Sequence, residues 1–203
     1  MTKKQPIKPP RAWQRMLSGR RLDLLDPSPM DIEIEDIAHG LARVARWNGQ
    51  TKGDWAFSVA QHSVLVERLF HRFYPDMNRQ WRLACLLHDA SEFVIGDMIT
   101  PFKAILAEEY TAVENRLTMA VHIRFGLPGE LPDHVRKAIK RADKVAAFLE
   151  ATQLAGFSEA EARKAIARPR HVPAMRIKPQ TPQDAANAYL RRFRFLAGKA
   201  GKP

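Results

Sequence analysis

The chain has 203 residues, a composition ordinary for a globular protein, one cysteine and a net charge of +11. That length buries a core without disulfide or metal staples, the lone Cys85 excludes an internal disulfide and fits a reducing, cytoplasmic compartment, and no apolar run approaches the length of a membrane span. The charge suggests nucleic acid until it is located: residues 1–22 hold seven Lys/Arg and residues 191–203 five, neither with an acid, while the 168 residues between carry 21 basic and 22 acidic groups.

Basic chain ends read as solvated tails. Residues 1–12, with Pro6, Pro9 and Pro10 among lysines, are expected to form a flexible basic arm ahead of a single domain over 13–203. No apolar stretch follows the arm, so a secretory signal is not expected. Arg15 to Ile34 shows no sustained helical period, and Ser18-Gly19-Arg20 and Asp26-Pro27-Ser28-Pro29 read as turns.

Ile34, Ile37, Leu41, Val44 and Ala45 recur in three- and four-residue steps and predict a first helix to about Trp47. Arg43 and Arg46 would complement its C-terminal dipole. A second helix is predicted from Ser58 to Tyr74. Its apolar stripe includes His62, while His71 falls off the stripe and is expected to be exposed. Trp81 to His88 predicts a third helix, whose apolar run Leu83 to Leu87 ends in His88-Asp89. Buried charge of this kind must be paired or metal-bound. Glu92 shares the face of His88 and Asp89 if that helix continues.

Pro101 suits the first turn of a long fourth helix ending near Gly126. A fifth begins near Pro132, buries Val135, Ile139, Ala142, Ala146 and Leu149, and sets Asp143 at the inner edge of that stripe. Lys140 and Lys144 point outward. Ser158 caps a short helix to about Ala167, residues 168–180 are irregular, and Thr181-Pro182 opens a last helix to about Leu196. No segment alternates with period two. The reading is all-α, with about six or seven helices.

His62, then His88-Asp89, then Asp143 on buried helix sides offer two imidazoles and two carboxylates, a set suited to a divalent transition metal. Such an ion polarises a phosphoryl oxygen and lowers the pKa of a water, and Glu92 is placed to carry that water's proton. Arg46 and Lys103 are candidate phosphate cations, and the arginine fork suits phosphate best.

The pattern resembles the H…HD…D signature of HD-domain metal-dependent phosphohydrolases. Arg46-Trp47, Ser58-Val59-Ala60-Gln61-His62-Ser63, His88-Asp89-Ala90-Ser91-Glu92, Gly96-Asp97 with Thr100-Pro101-Phe102-Lys103, and Lys140-Arg141-Ala142-Asp143 look like blocks of the bacterial 5′-deoxynucleotidase branch. The resemblance covers about residues 32–155. It implies a helical HD fold, one divalent ion (Mn, Co, Fe, Mg or Zn) on His62, His88, Asp89 and Asp143, and catalytic roles for Glu92 and Asp97. It also implies substrate contacts from Arg46, Trp47 and Lys103, a nucleotide substrate and a homo-oligomer. Leu17-Ser18-Gly19-Arg20 and Asp36-Ile37-Ala38-His39 are closer to HD relatives that cleave deoxynucleoside triphosphates, so monophosphate and triphosphate substrates both stay open. A reading of another class, a non-catalytic nucleic-acid or partner-binding protein using the basic ends, finds no aromatic-interleaved basic groove to support it.

Overall fold

The structure is a computed structural model and describes residues 11–198. Residues 1–10 of the expected basic arm lie outside the described residues. Eight helices make up the described fold: α1 (Ile34–Leu41), α2 (Val59–Phe73), α3 (Arg79–Leu86), α4 (Glu92–Ile95), α5 (Thr100–Arg124), α6 (Asp133–Gln153), α7 (Glu159–Ala165) and α8 (Pro182–Ala197). Ahead of them stands a two-stranded antiparallel hairpin, β1 (Trp13–Arg15) with β2 (Arg21–Asp23).

Among the described residues, the hairpin is the one departure from an all-α fold. Each strand has three residues, too few to display alternation, and only Leu22 of the pair is buried. Its turn uses Gly19 at φ 90° and is tied to α1 through Asp36, which accepts from Ser18 N at 3.0 Å and Ser18 Oγ at 2.5 Å.

α2 is the central helix. Ser58 caps it by accepting from Gln61 N, and it packs against α3, α6 and α8. Its buried Glu67 accepts from Arg82 of α3 at 2.8 Å and from Arg192 of α8 at 2.6 Å, so one carboxylate joins three helices. α6 runs beside α2 and buries every apolar position predicted for it. The cap foreseen at Ser158 is present, and the last helix opens at Thr181-Pro182 as expected, with Thr181 accepting from Asp184 N as its cap. His71 is half-buried rather than exposed.

Two boundaries differ from expectation, and both shape the site. The first helix stops at Leu41 instead of Trp47. Ala45 then bridges to Ser58, and Arg46–Gly49 forms a separate tight turn with Trp47 at φ 58° and Asn48 at φ 51°. The third helix stops at Leu86, so His88 and Asp89 lie in the turn between α3 and α4 rather than on a continuing helix. Neither stop carries a proline or glycine signal at the break itself.

Gly40 fixes how α1 meets α4. A Cβ there would stand 2.8 Å from both the Cβ and the backbone oxygen of Phe93, and backbone cannot move aside cheaply. Gly40→Ala is therefore expected to destabilise the protein by about 1–3 kcal/mol, the usual cost of overpacking. Normally Gly→Ala within a helix stabilises, so an unchanged or raised urea midpoint would contradict this packing.

Candidate active site

The three helices bring their histidines and aspartates to one point. His62, one turn into α2, His88 after α3, and Asp143 in the middle of α6 offer ligand atoms that all lie within 4.8 Å of one another. Asp89 joins them, with Oδ2 3.3 Å from His62 Nε2 and 3.2 Å from His88 Nε2. Asp143 Oδ1 is 3.3 Å from His62 Nε2. The structure thus brings together all four residues expected to bind metal.

The imidazoles are oriented for that purpose. His88 Nδ1 donates to the Cys85 carbonyl at 2.9 Å, which leaves Nε2 as the lone-pair nitrogen facing the cluster. His62 Nδ1 lies 2.5 Å from Glu150 Oε1, so donation to that carboxylate frees its Nε2 in the same way. Both Nε2 atoms are buried, and despite their nearness to carboxylate oxygens neither makes a hydrogen bond among the described residues. Two orphaned nitrogens and two carboxylates around one point fit a divalent cation with mixed N/O ligands.

The electrostatics agree. Burial and Arg46 oppose a charge on His62, yet Glu150, Asp143 and Asp89 outweigh them and hold its pKa well above the ordinary value. Burial likewise opposes the charge on Asp89, but His88 and His62 hold its carboxyl well below the usual range. With no ion beside it the cluster draws a proton onto His62, and that proton is the positive charge a divalent ion would displace to bind at Nε2.

Glu92 opens α4 and is buried, and its Oε2 has no hydrogen-bond partner among the described residues. Burial, followed by the charges of Asp89 and Asp97, pushes its pKa up to about 9. Burial and these neighbouring charges thus favour the protonated carboxyl while no cation sits beside it. Lys103 Nζ lies 3.8 Å from Glu92 Oε1 but bonds to Glu114 at 2.9 Å.

Glu150 is the residue that sequence reasoning missed. It is fully buried on α6, seven positions after Asp143 and so on the same face. Its Oε2 accepts from Trp47 Nε1 at 3.0 Å and from Arg46 Nε at 3.4 Å. Arg46 Nη1 also donates to Asp97 Oδ2 at 3.0 Å. Burial works against the Glu150 charge, but His62 and Arg46 hold its pKa down to about 2. The Glu150 carboxylate thus links Arg46, Trp47 and His62, and Asp97 joins them through the Arg46 guanidinium. The left-handed backbone of Trp47, costly for a bulky side chain, is held by that bond and by packing against Phe157, with ring centroids 5.8 Å apart.

A cavity of about 540 Å³ opens onto His88 and Asp143. α5 and α6 line it with Asn115, Thr118, Arg136 and Lys140. Arg46, Trp47, Asp97 and Lys103 do not line it. Lys140, predicted on the outward face, is exposed yet reaches this rim.

The family model described as "5'-deoxynucleotidase YfbR-like" matches residues 37–170, which contain every one of these groups. The chain belongs to the YfbR-like 5′-deoxynucleotidase family. Within reach of this YfbR-like domain is an uncharacterized protein of Rhodobacter capsulatus, RCAP_rcc00048, 60% identical over 190 residues, covering 92% of this chain and 96% of that one. The uncharacterized Escherichia coli protein YfdR is 31% identical over 108 residues, 53% of this chain and 55% of its own. YfbR-like membership and the His/Asp cluster place the chain among HD-type phosphohydrolases. Among the described residues, no helix is long and apolar enough to cross a membrane.

Proposed function

We propose that the protein is a metal-dependent 5′-deoxynucleotidase that releases inorganic phosphate from deoxynucleoside monophosphates. The observation that carries this reading is the convergence of His62, His88, Asp89 and Asp143, with two orphaned Nε2 atoms, inside a YfbR-like domain. These four residues would hold a divalent ion, which when bound would supply Lewis acidity toward a phosphoryl oxygen and lower the pKa of a water. Glu92, with no partner at Oε2, would give its proton to the leaving oxygen and take one back from the attacking water, ending as it began. Arg46, with Nε and Nη1 engaged by Glu150 and Asp97, offers Nη2 to the phosphate. Asp97 holds that guanidinium in place, and Lys103 adds a cation beside Glu92.

The test is product identity. Deoxynucleoside mono- and triphosphates are incubated with Mn²⁺ or Co²⁺, and phosphate and triphosphate are assayed separately. Phosphate from the monophosphates is expected. Triphosphate release would make the protein a deoxynucleoside triphosphohydrolase instead, and no turnover with any divalent ion would refute both.

Trp47 is read as the wall on the sugar side. A flat ring excludes a 2′-hydroxyl by shape, and burying that hydroxyl unpaired costs ~1–3 kcal/mol, about one to two decades of preference for deoxy substrates. Trp47→Ala should narrow the deoxy/ribo ratio of kcat/KM by that amount. Trp47→Phe keeps the ring but loses the N–H donated to Glu150, so it should preserve the ratio. An unchanged ratio in Trp47→Ala would remove Trp47 from the sugar site.

A further inference from the structure

A second cavity, of about 620 Å³, lies between α6 and the loop that follows α7. Lys137, Lys140, Arg141 and Lys144 line one wall, and Arg168 and Arg170 line the other. The four residues of α6 are spaced three, four and seven apart, so they form one stripe two turns long, about 10 Å. Among the described residues, no carboxylate lines the groove or pairs with any of these six cations. Arg141 instead donates to the Tyr74 hydroxyl at 3.3 Å and stacks over the Phe73 ring, 5.2 Å from its centroid. Arg168 donates to the Arg163 carbonyl.

An ordinary solvated helix face intersperses both signs of charge. Like charges gathered in a concavity, with no acid among them, repel one another and focus a positive potential inward. A polyanion relieves that repulsion. Apart from the single imidazole of His171, no ring side chain lines the groove, so it lacks the run of Phe, Tyr or Trp platforms on which successive bases of single-stranded nucleic acid stack. Lys140 lines both this groove and the cavity that opens onto His88 and Asp143. The groove therefore meets the cavity of the candidate active site at one lysine.

We propose that this groove binds a chain of closely spaced phosphates, supplied either by the tail of a nucleoside triphosphate or by free polyphosphate. The site is distinct from the metal cluster and its readout is binding, so its failure would leave the hydrolytic reading standing.

The test is calorimetric titration of the intact chain at fixed ionic strength with inorganic phosphate, tripolyphosphate, deoxyadenosine triphosphate and a short thymidine oligonucleotide. Comparing wild type with Lys144→Gln/Arg170→Gln cancels any heat from metal chelation. Both substituted side chains are exposed, so the fold should persist. Lys137→Gln/Arg168→Gln provides an independent pair if the first misfolds. Tripolyphosphate is expected to bind at least tenfold tighter than phosphate. Each double variant should weaken it at least tenfold while leaving phosphate release from monophosphates unchanged. Equal affinity for tripolyphosphate and the nucleotide would identify free polyphosphate as the ligand. A tighter nucleotide whose advantage disappears in the variants would identify the nucleotide tail. Equal affinity for phosphate and tripolyphosphate, unchanged affinity in both double variants, or tighter binding of the oligonucleotide would overturn the proposal.

Discussion

Asp143→Asn and His62→Ala are each expected to lose the bound divalent ion and phosphate release together, by more than the ~10–100-fold that removal of an outer-shell partner costs. Each substitution removes one of four ligand atoms gathered around one point. Asp143 is the cleaner test. Its side chain is about one-third exposed, so the change leaves little cavity. His62 is fully buried, and its removal also strands the Glu150 carboxylate that now accepts from it. His62→Ala should therefore lower thermal stability as well as metal content, whereas Asp143→Asn should lower metal content alone. Metal is measured by mass spectrometry on dialysed protein, and fold by circular dichroism. Full metal occupancy in either variant would remove that residue from the centre.

Glu150→Gln should weaken metal binding ~10–100-fold while the chain stays folded. The amide keeps the size of the side chain and can still accept from His62 Nδ1, but it withdraws the charge that raises the basicity of Nε2. It also frees Arg46 and Trp47 from their shared acceptor. A buried glutamate serving only to pack would show a shift in unfolding midpoint and no change in metal affinity. The discriminating readout is a metal titration, with Glu150→Asp as the partial rescue: the charge is kept and only the reach is shortened. Unchanged metal affinity in Glu150→Gln would reduce the residue to a structural role.

What could be read from the sequence was local and periodic. The α2 and α6 stripes, the Ser158 cap and the Thr181-Pro182 helix start each depend on residues within a turn or two of one another, and the H…HD…D ligands, though 81 residues apart from His62 to Asp143, were legible because each falls on the buried side or at the end of its own apolar stripe. Features that depend on distant partners were hidden. Trp47 sits in a left-handed turn because Glu150, 103 residues on, receives its indole N–H. Arg46 and Trp47 suggested the end of a first helix, since nothing local marks the break after Leu41. Strands of three residues carry no period, so the hairpin was invisible. Glu150 was findable in principle. A charged residue among Phe148, Leu149 and Ala151, one heptad after Asp143, is costly unless paired. Its partner, His62, lies 88 residues back, and only the packing of α2 on α6 brings them together.

The most direct test of the account is a metal titration of activity. Protein stripped by chelation is supplied with increasing Mn²⁺ or Co²⁺, and phosphate release from a deoxynucleoside monophosphate is followed. No release is expected from the stripped protein, and activity should rise to a plateau at one ion per chain, with Asp143→Asn flat throughout. Undiminished release from the chelated protein, or a wild-type titration curve for Asp143→Asn, would contradict it.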